Sequence, residues 1–419
     1  MDLAGKNITV FGLGKSGLAA ARKLTSLGAI VRTTDSKIKE HALDDIDGVD
    51  LIVVSPGVHL DIPVLVEAKK RGIRIISEIE LAYQFLKKPI IAVTGSNGKT
   101  TTATLIGEML KAGGKKVTVA GNIGNPLVEV DDSNLDYIVA EISSYQLEAI
   151  DKFKPRLSVI LNIQPDHLER HHSMEEYIKQ KAKIFMNQTG DDYVIYNQDD
   201  PEVSRMVQGA TCQVLGFSKD KAAEIITIKP EEIKIPGRHN LENSLAAASA
   251  AYLCGVSKAA VAQVLRSFPG VEHRIEFVLS INGIDFYNDS KGTNPDSTMV
   301  AIDTFPGRGI ILILGGRDKG TDLSLLMEKI KKNVKDVVLI GEAADRFDKA
   351  LLAAGYQNIH PAGFSMEDAV KKAFSLASKG DIVLLSPACA SFDMFSNFEE
   401  RGRSFKDLVT TLSLWERGE

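Results

Sequence analysis

Eight residues, Thr94-Gly95-Ser96-Asn97-Gly98-Lys99-Thr100-Thr101, set two glycines, a lysine and several hydroxyls between a β-branched apolar run at 90–93 and a helical stretch at 100–110. A glycine-rich passage from strand to helix aims successive backbone N–H groups, and the positive helix end, at phosphate oxygens. Lys99 then reaches the β/γ-phosphates of a nucleoside triphosphate, and the Thr100 hydroxyl can ligate magnesium. Val93 stands where the full G-x-x-x-x-G-K-[ST] pattern has its first glycine, so a plain glycine turn is the alternative. Strand, Gly-Lys-Thr and helix in register favour nucleotide binding.

Further groups fall at the ends of other apolar runs. Gly12-Leu13-Gly14-Lys15-Ser16-Gly17 fits G-x-G-x-x-G, and Asp35 follows the next run at 30–34, placed for a ribose hydroxyl. Alone this means a nicotinamide or flavin site, the diphosphate of another nucleotide, or a close-packed turn. Ser55-Pro56-Gly57 adds a loop on the same expected sheet edge. Glu141 ends one run, and Asp166-His167 follows another, so a carboxylate and an imidazole can converge on magnesium beside the phosphate loop. Lys181 is one of several lysines on a helical stretch at 175–185 and reads as solvated surface. His171 and His172 read as loop residues. Asn240 and Asn243 share a helical face and can read an adenine edge or cap the helix, and His273-Arg274 are structural or functional. Polar loops at 288–295, 315–319 and 386–392 suit capture of a small anion by Lys, Ser and Thr. Cys389 has no histidine placed to activate it and is expected to be a buried thiol.

The elements that position these groups alternate. Short apolar runs, glycine or serine turns and helical stretches of period 3.6 recur throughout the chain, the pattern of α/β layers with mostly parallel sheets. The 419 residues exceed one hydrophobic core. Lys87-Lys88-Pro89 and Phe268-Pro269-Gly270 mark breaks, giving three expected domains at 1–88, 89–271 and 272–419. Lys plus Arg (50) nearly balances Asp plus Glu (55), which argues against a nucleic-acid or membrane-surface partner. The apolar runs at 309–315 and 381–385 fall far short of the ~20 residues that span a bilayer. No signal-peptide pattern opens the chain, and Cys212, Cys254 and Cys389 are scattered and odd in number, so a reducing cytoplasm is expected.

Taken together, the 94–101 loop, Gly121-Asn122-Ile123-Gly124, Glu141-Ile142-Ser143-Ser144-Tyr145-Gln146-Leu147 and Asp166-His167 resemble the Mur ligase family of peptidoglycan synthesis. Asn288-Asp289-Ser290-Lys291-Gly292-Thr293-Asn294 and the 385–398 segment narrow the resemblance to the activity that adds D-glutamate to UDP-N-acetylmuramoyl-L-alanine. It extends from Gly12 to Phe405.

The resemblance implies a Rossmann-like N-terminal domain for the uridine nucleotide, a P-loop-type central ATPase and a Rossmann-like C-terminal domain for D-glutamate. Gly14, Lys15, Ser16, Asp35, Lys37, Ser55, Pro56, Gly57 and Asn122 would then serve the UDP substrate; Lys37 stands where the family pattern has Arg, keeping the charge without the bidentate geometry. Gly95, Ser96, Asn97, Gly98, Lys99, Thr100, Thr101, Asn240, Asn243, Arg274 and Asp289 would bind ATP. Two magnesium ions are implied, the first on Thr100 and Glu141 and the second on His167, with Lys181 carrying carbon dioxide as a carbamate ligand. Catalysis would rest on Lys99, His167 and Lys181, and Lys291, Thr293, Lys319, Ser391 and Phe398 would line the D-glutamate pocket. A monomer is expected. The competing readings are a sister ligase for another amino acid, an oxidoreductase resting on 12–17 and Asp35, and a non-catalytic nucleotide-binding regulator.

Overall fold

A computed structural model describes residues 2–38, 40–166, 168–318 and 320–417. The expected positions His167 and Lys319 lie outside the described residues. The strands form three sheets. The first holds β1 (Asn7–Phe11), β2 (Ile30–Thr34), β3 (Leu51–Val54) and β4 (Arg74–Ser77) in the order β2-β1-β3-β4, all parallel. The second holds β5 (Ile90–Thr94), β6 (Val117–Gly121), β7 (Tyr137–Glu141), β8 (Leu157–Ile160), β9 (Tyr193–Asn197) and β10 (Gln213–Phe217). Its order is β10-β9-β8-β5-β7-β6, again all parallel. The third holds β11 (Glu276–Ile281), β12 (Ile284–Asn288), β13 (Ile310–Gly315), β14 (Asp336–Ile340), β15 (Ile359–Pro361) and β16 (Ile382–Leu385), ordered β11-β12-β16-β13-β14-β15. Only its β11–β12 pair is antiparallel.

Residues 1–233 with 239–267 pack as one compact unit, and 234–238 with 268–419 as a second. In the middle of each large sheet every residue of β5, β8, β13 and β16 is buried. Parallel strands covered by helices on both faces need such continuous apolar runs rather than alternation. The expected apolar runs therefore fall in strands, while β4 is bounded by Arg74 and Ser77 and β10 is largely exposed, so neither carries a continuous buried apolar run. Among the described residues no helix is long and apolar enough to cross a membrane.

The glycine fingerprint is where the first sheet meets its first helix. Gly12, at φ 84°, turns the chain from β1 toward the helix Lys15–Ser26. A Cβ on Gly17 would sit 1.8 Å from the Gly12 carbonyl oxygen and 2.4 Å from Ser55 Oγ. Ser55 Oγ itself donates to that carbonyl at 2.7 Å. Backbone cannot give way there as a flexible side chain can, so Gly17 is required by packing alone. Gly14 has nothing within 4 Å of its would-be Cβ and an ordinary φ of −67°. Gly17→Ala is therefore expected to lower stability by roughly 1–3 kcal/mol, whereas Gly14→Ala stays within about 0.5 kcal/mol of the parent. Denaturant unfolding of both variants checks this, and equal shifts would show that the close approach is not the constraint.

Candidate active site

In a parallel sheet the carboxyl ends of neighbouring strands open on one edge, which is where ligands bind. β5 lies between β8 and β7, so the loops after these three strands are neighbours. Val93 of β5 pairs with Glu141 of β7, and Thr94 with Ile160 of β8. Val93 is thus interior strand rather than loop.

The phosphate loop is laced to the segment after β8. Ser96 N donates to Asn162 O (2.9 Å), Asn97 N to Asn162 Oδ1 (2.8 Å), and Asn162 Nδ2 back to Asn97 O (3.1 Å). Ser96 Oγ bonds Gln164 O at 3.0 Å and the Tyr177 hydroxyl at 2.9 Å. Gly98 caps the helix Lys99–Ala112 at φ 86°, where a Cβ would lie 2.2 Å from Asn243 Oδ1.

Lys99 and Lys181 meet at this loop. Lys99 Nζ donates to the carbonyls of Gly95 and Ser96, both at 2.9 Å, and Lys181 Nζ donates to the same Gly95 oxygen at 2.9 Å. Lys181 is 1% exposed, which corrects the reading of it as solvated surface. Burial, and then the Lys99 charge, hold its ammonium well below the usual lysine range, while Asp166 opposes them. Its ammonium lies 4.7 Å from the Tyr177 ring centroid. A signal was available: Tyr177 and Lys181 are four apart in the helix Met174–Ala182, so an apolar face carries the lysine inward.

Thr100 Oγ1 donates to Glu141 Oε2 at 2.8 Å, and Asn122 Nδ2 donates to Glu141 Oε1 at 2.8 Å. Adjacent ligands of an octahedral magnesium stand about 2.9 Å apart for bonds of ~2.05 Å. A hydroxyl and a carboxylate at the observed spacing fit such an ion. Among the described residues no three His, Cys, Asp or Glu side chains gather as a metal site. The fit instead uses the hard oxygens of Thr100 and Glu141, as magnesium bound with a phosphate substrate requires.

Other expected groups sit differently. Asn243, expected at adenine, is buried beneath the phosphate loop and bonds Thr102 Oγ1 (3.3 Å) and Asn240 Oδ1 (3.1 Å). Thr101 is buried in the first turn of its helix. In the first sheet, Asp35 accepts from the backbone N–H groups of Leu13 (2.6 Å) and Lys37 (2.9 Å), which lower its pKa. Lys15 Nζ donates to Gly124 O, tying the glycine fingerprint to the 121–124 loop, and among the described residues the Ser16 and Lys37 side chains make no hydrogen bond. Pro56 and Gly57 continue the turn that Val58 N closes onto Ser55 O at 3.0 Å.

In the second unit β12, β16 and β13 are adjacent, so the polar loops after them share one edge. Arg401, which no motif singled out, binds the loops after β12 and β16 together. It is 1% exposed, and its guanidinium donates to Ser290 Oγ and O (3.0 and 2.8 Å), Cys389 O (3.1 Å) and Ala390 O (3.2 Å). Burial lowers its pKa to about 10. Lys291 Nζ lies 5.9 Å from the Phe398 ring centroid, Ser391 is buried, and Thr293 N bonds Lys291 O at 2.9 Å. Cys389 is buried as expected.

Asp289 is buried, accepting from Ser386 Oγ (2.7 Å) and Ile275 N (3.2 Å). Burial raises its carboxyl from the ordinary 3.8 to about 6, against the opposing pull of Arg274. Below about pH 4 the proton is on in folded and unfolded chains alike. Between about pH 4 and 6 the folded protein binds the extra proton, so its stability falls as pH rises, and the deficit persists above 6. Relative to Asp289→Asn, the wild type should lose on the order of 2–3 kcal/mol between pH 4 and 7. Denaturant unfolding across that range tests this; a difference that does not change with pH would refute it.

Comparison with known proteins places this geometry. Residues 93–251 match the Mur ligase middle domain, and residues 273–389 match the Mur ligase, glutamate ligase domain. The UDP-N-acetylmuramoylalanine–D-glutamate ligase of Caldanaerobacter subterraneus subsp. tengcongensis is 46% identical, covering 98% of this chain and all of the relative. That of Clostridioides difficile is 42% identical over the same shares. Among solved structures, UDP-N-acetylmuramate-alanine ligase from Thermotoga maritima aligns with a TM-score of 0.61 at 21% identity, covering 97% of this chain and 99% of the other. E. coli FolC in complex with ADP aligns at 0.59 and 16% identity, over 80% of this chain and 93% of its own.

Proposed function

The chain belongs to the Mur ligase family, and from that premise we propose that it joins D-glutamate to UDP-N-acetylmuramoyl-L-alanine, converting ATP to ADP and phosphate. The observation that supports this most directly is the group Lys99, Thr100 and Glu141 around the loop after β5, in a chain 46% identical to a D-glutamate ligase over nearly its whole length. Residues 1–88 would form a Rossmann-like domain for the uridine nucleotide, 89–271 the ATPase and 272–419 a Rossmann-like domain for D-glutamate. The fingerprint loop with Asp35, the 55–57 turn and Asn122 would hold the UDP substrate. Lys291, Thr293, Ser391 and Phe398 would face D-glutamate, with Lys319.

The chemistry has two steps. An oxygen of the L-alanyl carboxylate attacks the γ-phosphorus of ATP, the bond to the β-phosphate oxygen breaks, and ADP leaves an acyl phosphate behind. The uncharged amine of D-glutamate then attacks the acyl carbon. The tetrahedral intermediate collapses, the C–O bond to phosphate breaks, and the nitrogen loses a proton to give the amide. A carboxylate is a poor electrophile, so phosphorylation supplies the leaving group. The protein's share is positioning and charge neutralisation.

Lys99 must leave the Gly95 and Ser96 carbonyls to meet the γ-phosphate. Thr100 and Glu141 would hold one magnesium ion and His167 a second; bound there, magnesium neutralises charge on the transferring phosphoryl group. The depressed pKa of Lys181 leaves its amine free to attack carbon dioxide, forming an N–C bond and losing a proton to give a carbamate. That would turn the lysine at the Gly95 carbonyl into an anion suited to magnesium.

Phosphate release with UDP-N-acetylmuramoyl-L-alanine and a panel of amino acids tests the proposal. Activity is expected with D-glutamate alone, and preference for L-lysine or diaminopimelate would overturn it. Lys99→Ala should lower substrate-dependent ADP release by about 10²–10³. A wild-type protein with no such release would instead be a regulator, and tight NAD(P) binding would revive the oxidoreductase.

A further inference from the structure

A buried cluster behind the phosphate loop has no part in the two steps above. Arg170, 9% exposed, makes a bidentate pair with Glu148, Nε to Oε1 at 3.0 Å and Nη2 to Oε2 at 2.6 Å. Its Nη2 also donates to Val58 O at 2.7 Å, one residue beyond the Ser55-Pro56-Gly57 turn. His171, expected to be a loop residue, is 3% exposed and lies between the rings of Tyr145 (centroids 5.5 Å apart) and Tyr177 (5.3 Å). Its Nε2 meets Ser144 Oγ at 2.9 Å, and its Nδ1 stands 3.7 Å from Glu148 Oε1. The Tyr177 ring in turn supports Lys181 Nζ, and its hydroxyl bonds Ser96 of the phosphate loop. A continuous line of contacts runs from Val58 through Arg170, Glu148, His171 and Tyr177 to Lys181 and Ser96.

We propose that Glu148, Arg170 and His171 are positioning residues for the ligation, holding the 55–58 turn and the Lys181 side chain in one fixed arrangement. The inference rests on the reading of that turn as part of the UDP-substrate site and of Lys181 as the carbamate. A desolvated bidentate ion pair resists displacement because separating its members leaves a buried charge without a partner. His171 is wedged by two rings and a hydrogen bond, so Tyr177 cannot tilt without breaking one of them. Among the described residues Lys181 Nζ donates one hydrogen bond, to Gly95 O, and it rests against the Tyr177 ring. Loss of the His171 ring would let that face move, and sub-ångström errors at reacting groups are costly. A cavity of 340 Å³ lined in part by Lys69, Glu148, Arg170, His171 and Gln180 lies beside the cluster, so a truncated side chain here has room to relax rather than be replaced by neighbours.

The test uses the full chain with three substitutions, steady-state kinetics and carbon-13 NMR in labelled bicarbonate. His171→Leu should lower kcat by roughly ten-fold, weaken the carbamate resonance, and leave KM for D-glutamate within about two-fold. His171→Phe restores the ring and should recover most of the resonance and of kcat. Arg170→Lys loses the fork and should raise KM for the UDP substrate by roughly ten-fold while KM for D-glutamate holds.

A wild-type resonance that persists undiminished in folded His171→Leu overturns the positioning role alone. Absence of the resonance in the wild type overturns the carbamate reading, and the positioning of Lys181 with it. Should His171→Leu not fold, Arg170→Lys decides. A selective rise in KM for the UDP substrate supports the proposal, and equal changes in all constants reduce the cluster to a stability element and overturn it.

Discussion

Two lysine ammonium groups donate to one backbone oxygen, the carbonyl of Gly95. Like charges so close, one of them buried, are tolerable only while one is neutral or an anion is at hand, and the rest of the loop is arranged around that constraint. Gly95 must be glycine partly because a Cβ would stand 3.0 Å from that of Leu161. The loop cannot shift away from the lysines, since Asn162 holds the backbone of both Ser96 and Asn97. Glu141, the carboxylate that ends β7, is held in place because Thr100 and Asn122 each bond one of its oxygens. The site thus gathers two lysines on one side, with Asp166 acting on Lys181, and a held carboxylate on the other. A triphosphate with magnesium would engage both sides at once.

The second unit solves a different problem with the opposite charge arrangement. Two of its loops, after β12 and β16, meet at one edge with backbone carbonyls turned toward a buried side chain. Arg401 supplies donors to four acceptors there and so ties the two loops into a single network. Gly315 and Gly316 allow the approach: a Cβ there would lie 2.0 Å from Ile340 O and 2.5 Å from Ala390 O. A guanidinium suits this role better than an ammonium because its planar fork reaches several oxygens in fixed directions. The Lys291 ammonium lies over the Phe398 ring, 5.9 Å from its centroid.

How far these features were legible depended on whether their causes were local. The strand–loop–helix around Gly98-Lys99-Thr100 is written in consecutive residues and was readable despite Val93, whose side chain belongs to the interior of β5. The three C-terminal loops were also readable, because apolar runs followed by polar turns must end on one edge of a parallel sheet. His171 and Arg401 were not, and Lys181 only through its spacing from Tyr177, since burial of a charged or polar side chain is decided by partners 27 to 111 residues away. Asn243 was half legible: its helical face was right, but its contact with Gly98 depends on a left-handed turn 145 positions earlier. Domain roles came from resemblance rather than pattern, because an α/β sheet edge does not name its ligand.

The Gly12–Gly17 fingerprint shows why such motifs mislead when read as ligand signatures. Its third glycine is dictated by the Gly12 carbonyl and Ser55 hydroxyl, groups of the protein itself. Asp35, the acid expected at a ribose, already accepts two backbone N–H bonds and so fixes the turn before any nucleotide is present. Each carboxylate oxygen retains a second lone pair, so a ribose remains admissible, but nothing in this turn selects nicotinamide over uridine. Selection must come from beyond the motif. Lys15 reaches the Gly124 carbonyl next to the loop that carries Asn122 and Glu141, which couples the fingerprint to the phosphate site rather than to a second dinucleotide half. Under the proposed function a glycine loop tied in this way would be a platform beside the phosphoryl-transfer centre, the placement that a ligase substrate with a diphosphate at one end and a reacting carboxylate at the other requires.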